Sequence, residues 1–186
     1  AGIAFLPAER KVEGLFLKQD LAWNTSIASL SKICRFRTIS KLMENKAADD
    51  YIDKLRVKCS GHSQNIGALS GGNQQKIMLS RWLMTDADVL LLEEPTRGID
   101  VGASEFIRNK LVELRDEGMA VLLISADLNE ILEVSDSIIV MNNGEIVAYL
   151  PDNKAVTENE LGEYMLGVKK MPEEEVRRVA YEQEEY

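Results

Sequence analysis

The chain is short of cysteine, histidine and long apolar runs, and each shortage narrows what it can be. Its two cysteines, Cys34 and Cys59, have neither C-x-x-C spacing nor histidines clustered nearby, which points to buried or inert thiols in a reducing compartment. The single histidine, His62, lies in a stretch of Ser, Gly and Asn and reads as a loop residue. No apolar run approaches the ~20 residues that cross a bilayer. The opening Ala-Gly-Ile-Ala-Phe-Leu-Pro lacks the basic flank of a signal peptide. Membrane association is therefore expected to come through a partner. Positive charge is also in deficit. The formal net charge of −9 argues against a nucleic-acid surface, which needs clustered Lys and Arg to displace counterions.

What is present is the make-up of a soluble domain, 45% hydrophobic and 28% charged, with length enough for one core or a core plus a subdomain. Residues 2–6 are apolar and end at Pro7, which suits a buried strand; a chain that begins there suggests a missing segment upstream. Residues 8–20 read as a loop. From about Leu21 to Leu83 the pattern is mainly helical, with Ala47, Tyr51, Ile52 and Leu55 on one face and a loop over Cys59–Gly67. The rhythm then changes. Val89–Leu92 is a strand, 103–117 a helix closed by Gly118, and Met119–Ile124 a second strand. Asp127 and Glu130 form a capping box, Ser137–Met141 is a third strand, and Asn143-Gly144 turns it into a hairpin with Glu145–Leu150. Alternating strands and helices predict an α/β fold with a mostly parallel sheet covered on both faces. The Glu-rich tail from Pro172 reads as a solvated, partly helical end.

Two stretches carry chemistry. In Leu69-Ser70-Gly71-Gly72-Asn73-Gln74-Gln75-Lys76 a serine and two glycines open a helix. That is either an ordinary cap or an anion site, since a hydroxyl and backbone N–H groups meet at the positive helix end. About twenty residues on, the apolar strand stops at Glu93-Glu94-Pro95, with Asp100 following. Acids ending a buried parallel strand are either solvated charge or ligands in the crevice where α/β proteins hold substrates. There one carboxylate can hold Mg²⁺ and the next can orient or deprotonate a water.

In this order and spacing the two stretches resemble the ABC ATPases. The resemblance runs from the strand at Gly2–Leu6 to Met165-Leu166-Gly167, and it implies a partial P-loop NTPase (ABC cassette) fold whose N-terminal strands and phosphate loop are missing. About 20–84 would be the helical subdomain, 1–19 and 85–150 the α/β core, and 151–186 a C-terminal helical extension with an acidic tail. The family's cofactors are ATP and Mg²⁺. The resemblance implies that Ser70, Gly71, Gly72 and Asn73 reach the γ-phosphate held by an opposite cassette, that Asp100 lies on the loop joining two cassettes, that Glu94 is the catalytic carboxylate and that Glu93 is the metal ligand. The wording Leu-Ser-Gly-Gly-Asn-Gln-Gln-Lys, then Glu-Pro-Thr-Arg-Gly-Ile-Asp-Val-Gly-Ala, is most similar to importers of simple sugars and nucleosides, in which two cassettes share one polypeptide. Leu6-Pro7-Ala8-Glu9-Arg10-Lys11 resembles their second cassette.

The implied partners are a first cassette or a second copy, membrane permease subunits and, indirectly, a periplasmic or extracellular binding protein. The implied location is the cytoplasmic face of the membrane, with no nucleic acid involved. The sequence departs from the family pattern in four places. It contains no Gly-x-x-x-x-Gly-Lys-Ser/Thr, and the position of the family's switch histidine is Ala126. Glu93 replaces the usual aspartate, and the glutamine that links nucleotide to permease is replaced near Ala8 or Glu9. These losses fall on the chain's own nucleotide site and spare the signature. The expectation is an ATPase half that completes a partner's active site while its own is degenerate. The alternative is a nucleotide-sensing or interaction module without turnover. Without an upstream strand, an unpaired edge and apolar surface predict self-association.

Overall fold

A computed structural model describes residues 2–181. The chain runs from strand β1 (Ile3–Leu6) through a π-helical turn (Arg10–Gly14) into α1 (Leu21–Ser26) and α2 (Leu30–Ile33). A two-residue hairpin, β2 (Cys34–Arg35) and β3 (Thr38–Ile39), leads to α3 (Lys41–Lys54) and then α4 (Gly71–Leu83). β4 (Val89–Glu93), α5 (Val101–Asp116) and β5 (Ala120–Ile124) complete a first compact unit that ends at Ile124. A second unit begins at Ser125 and holds α6 (Leu128–Val134), β6 (Ile138–Asn142), β7 (Glu145–Leu150), α7 (Glu158–Met165) and α8 (Glu173–Tyr181).

Local chemistry sets most of these boundaries. Asp20 accepts from Trp23 N at 2.8 Å and starts α1, and Asp100 does the same for α5 through Ala103 N at 2.9 Å. Gly118, at φ +96°, ends α5 in a conformation that disfavours any side chain. Asp127 caps α6 as expected, accepting from Asn129 N at 3.0 Å. The hairpin and the π-helical turn are not legible as periodicity: both are too short to repeat, and residues 8–20 had read as plain loop. Cys34 lies exposed on the hairpin and Cys59 is half-buried, so of the two expected states, buried or inert, exposed Cys34 is not in the first.

The sheet of the first unit is parallel, in the order β1-β4-β5, with Leu6 level with Leu92 and Leu92 level with Leu123. Its inner face carries Ala4, Leu6, Leu90 and Leu92, packed in one core with Ile77 and Met78 of α4 and Ile107, Leu111 and Leu114 of α5. The outer face is not covered, contrary to the expectation for a parallel sheet. Ile3 is 63%, Phe5 43%, Leu122 50% and Ile124 50% exposed. β1 is accordingly half-buried.

In α1 to α4 polar groups are buried in matched pairs. Thr25 and Ser80 hydroxyls meet at 3.1 Å, and Ser26 Oγ donates to Glu44 Oε1 at 2.9 Å, whose other oxygen accepts Lys41 Nζ at 2.6 Å. The second unit is built on the antiparallel β6–β7 pair, turned at Asn143 (φ +48°) and Gly144 (φ +81°), the left-handed pair that a tight hairpin needs. The third expected strand is thus part of this hairpin and not of the parallel sheet. Leu161 and Tyr164 of α7 pack with Ile138, Val140, Val147 and Ala148. The acidic tail is helical to Tyr181; residues 182–186 lie outside the described residues.

Candidate functional site

Ser70 sits at the cap position of α4 in extended conformation (φ −62°, ψ 157°), but its side chain does not cap its own helix. Instead Asn73 Nδ2 donates to Ser70 Oγ at 2.9 Å, while Asn73 Oδ1 accepts from Lys58 N at 2.9 Å. Since the hydroxyl already accepts from Asn73, its proton is left to be donated elsewhere. Asn73 therefore links Ser70 to the backbone at Lys58 and orients the hydroxyl.

Both glycines have packing reasons to be glycine. A Cβ on Gly71 would stand 2.7 Å from Arg10 Nη2, and one on Gly72 would stand 2.4 Å from Ala103 Cβ and 3.2 Å from Asp100 Oδ2. Their bareness lets the start of α4 close onto the start of α5, which brings exposed Ser70 and Asp100 together beside half-buried Gly71 and buried Gly72. The result is the positive end of a thirteen-residue helix carrying a hydroxyl donor and backbone N–H groups, beside one carboxylate.

The loop from β4 to Asp100 is held by its backbone. Glu94 takes a left-handed conformation (φ +46°), with its N–H donating to Ile124 O at 2.8 Å and its carbonyl accepting from Arg97 N at 3.1 Å. Such a conformation in a non-glycine residue costs energy and clusters at functional positions. Gly98 follows at φ +67°. Arg10 Nη1 donates to Arg97 O at 2.9 Å and Nη2 to Gly98 O at 3.2 Å. The sequence singled out Arg10 only as part of the segment Leu6–Lys11, and nothing there announces a contact eighty-odd residues away.

Glu93 is separated from this patch. By the alternation of β4, whose Leu90 and Leu92 face the core, Glu93 shares the outer face of the sheet with its register partner Ile124. The structure thus gathers Ser70, Gly71, Gly72, Asn73 and Asp100 on the α4–α5 side and sets Glu93 on the opposite face, with Glu94 at the strand's end.

Among the described residues no group of three or more His, Cys, Asp or Glu is placed to hold a metal ion. One half-exposed carboxylate at Glu93 fits Mg²⁺ only as a single ligand to an ion held otherwise by phosphate and water. Positive charge flanks the signature side. Lys76, one turn into α4, lies 3.7 Å from the Phe106 ring centre, and burial followed by Lys58 and Arg56 holds its ammonium below the usual lysine range, with Asp100 opposing. His62 is a loop residue, as expected, with Nδ1 2.8 Å from Asp49 Oδ1. Ala126 lies in the bend after β5.

The family described as "ABC transporter" matches residues 8–97. The galactose/methyl galactoside import ATP-binding protein of Treponema pallidum is 43% identical over 158 residues, covering 85% of this chain and 32% of that protein. The ribose import ATP-binding protein of Clostridium tetani is also 43% identical over 158 residues, covering 84% of this chain and 31% of that protein. The chain therefore spans about a third of the length of these relatives.

Among solved structures, a nucleotide-free ATP-binding cassette from an ABC transporter superposes with a TM-score of 0.66 at 22% identity, covering 88% of this chain and 64% of that one. The ADP conformation of another such cassette gives 0.65 at 21%, covering 97% and 68%. At those identities the likeness speaks for the fold: α/β with a parallel sheet, as in P-loop NTPases of the cassette type. Together with the signature and the acids after β4, these matches place the chain in the ABC transporter family, as an ATP-binding domain homologous to sugar-import ATPases.

Proposed function

We propose that the chain is the ATP-binding part of an importer of simple sugars or nucleosides, and that it works by presenting the start of α4 to ATP held on a partner cassette. The observation that carries this reading is the patch at Ser70, Gly71, Gly72 and Asp100. An exposed hydroxyl whose proton is available, at the positive end of a helix, forms a surface to which a γ-phosphate can be brought. The patch would act in trans, as a preorganised donor set on a phosphate fixed by another chain. The partner is a first cassette in the same polypeptide or a second copy. Residues of about 20–84 would face membrane permease subunits at the cytoplasmic face, with an extracytoplasmic binding protein engaged only through them.

The chain's own site is proposed to turn over poorly. Glu94 would orient or deprotonate the attacking water there, and Glu93 would supply one ligand to Mg²⁺ bound with ATP. The methyl side chain of Ala126 cannot hydrogen-bond where the family has histidine, and Glu93 is a methylene longer than aspartate. Ser70→Arg in the complete assembly tests the donor reading: hydrolysis and transport should both collapse, and survival of either at the wild-type rate refutes it.

A second reading, a nucleotide-sensing module without turnover, is favoured by Ala126 and Glu93. Calorimetric titration of the chain with MgATP separates the two. No binding at millimolar nucleotide fits a donor that needs its partner, whereas micromolar binding favours the sensor.

A further inference from the structure

Arg10 meets three parts of the patch at once. Its guanidinium bridges two successive carbonyls, Arg97 O at 2.9 Å and Gly98 O at 3.2 Å, and it fills the space that a side chain on Gly71 would need. Glu9 beside it lies 3.9 Å from Arg97 Nη1, so neighbouring residues hold both the backbone and the side chain of the loop. Arg10 also opens the π-helical turn, whose far end is held on the second half of α4. There Gly14 O accepts Arg81 Nη1 at 2.5 Å, and a Cβ on Gly14 would lie 2.1 Å from Met78 Sδ. The segment 10–14 is thus a strut along α4, from Gly71 to Arg81, roughly 15 Å of helix at ~1.5 Å per residue. π-Helical turns are rare and gather at functional positions.

The loop is anchored at its ends, by the Glu94 backbone bonds and by Asp100 capping α5, and Ile99 packs against the core; Arg10 holds the stretch between. Arg97, Gly98 and Asp100 are exposed, and Gly98 is conformationally free. A planar fork that donates to two carbonyls sets both the position and the rotation of that backbone, which a lysine, as a point donor, does not reproduce. We propose that Arg10 is a positioning residue that fixes the Arg97–Asp100 loop against the start of α4, so that Asp100 and Ser70 meet nucleotide as one rigid unit. The inference rests on the ATP-site reading above, and it adds a residue to which neither the signature nor the acidic motif points.

The test compares Arg10→Ala and Arg10→Lys with wild type in the complete ATPase assembly, reading amide hydrogen exchange, kcat and KM for MgATP, and melting temperature. Losing the fork removes two exposed charge-assisted hydrogen bonds from the loop; water replaces most of their strength, which leaves about tenfold in a local equilibrium. Arg10→Ala is therefore expected to quicken exchange across 97–103 about tenfold while β4 and β5 stay protected. It should lower kcat about tenfold with KM little changed. Arg10→Lys should recover only part of each effect. Unchanged exchange across 97–103 would overturn the proposal, as would full recovery by lysine or a lower melting temperature with kcat intact. Should the wild-type assembly hydrolyse no ATP, the ATP-site reading fails by itself. Exchange across 97–103 then still supports the clasp if quickened and overturns it if unchanged.

Discussion

Arg81 is the residue whose replacement should most clearly expose how the first unit is held together. It lies on α4 and is only 5% exposed, yet none of its three acceptors is a carboxylate. Nε donates to Asn24 O at 2.8 Å, Nη2 to Asn24 Oδ1 at 2.9 Å and Nη1 to Gly14 O at 2.5 Å. The Phe16 ring centre lies 5.4 Å from the guanidinium carbon. Burial pushes the guanidinium down to about 10, which leaves it charged at neutral pH. Arg81→Met keeps most of the volume but strands the carbonyls of Gly14 and Asn24, whereas Asn24 Oδ1 still accepts Phe16 N at 3.0 Å. Two stranded carbonyls cost about 2–6 kcal/mol at ~1–3 each. Relief of cation desolvation returns part of that. The expected net loss is about 3 kcal/mol, a large share of a typical ~5–15 kcal/mol. In a domain of this size it should lower Tm by about 6–12 °C. Urea unfolding followed by circular dichroism should show a lower midpoint with an unchanged slope. A midpoint at or above wild type would refute the reasoning, since it would mean that desolvation of the cation outweighs all three bonds.

Two further outcomes follow from the first unit. Lys76 titrates below the usual lysine range in the folded chain, chiefly from burial, so just below pH 10.5 the unfolded chain binds more protons at this position. That contribution to stability rises with pH through the window, and the urea midpoint of wild type relative to Lys76→Met should rise there; a flat difference would refute the assignment. The uncovered sheet face should drive association. Light scattering should show oligomers that Phe5→Gln with Leu122→Gln shifts toward monomer, and a wild-type monomer at high concentration would count against an adhesive face.

The elements that the sequence announces are those whose signal repeats or ends on a special residue. α4 and α5 show helical spacing, β4 is a continuous apolar run, and Gly118 and Asn143-Gly144 mark a helix end and a hairpin by backbone conformations few other residues adopt. The signature and the acids after β4 were equally legible, because each packs its chemistry into a few consecutive residues. Less legible was whatever depends on partners far along the chain. The π-helical turn at Arg10–Gly14 has no repeat to read, and its shape makes sense only with Met78 and Arg81 beside it. The two-sided cover predicted for the sheet failed because the alternation of strands with helices along the chain does not say on which face each helix packs.

By itself the sequence determined the fold class and the order of the longer elements, and it named candidate groups for the site, since these follow from local periodicity, caps and short motifs. Only the tertiary structure decided that Ser70 and Asp100 share one patch while Glu93 lies on the opposite face of the sheet. It alone showed that Asn73 donates to Ser70, and that Arg10 reaches from the turn after β1 to the loop before α5. The physical reason is that such relations are set by close packing between distant segments. A glycine's missing Cβ or a guanidinium's two donors gain meaning only from the atoms the fold brings within hydrogen-bond reach.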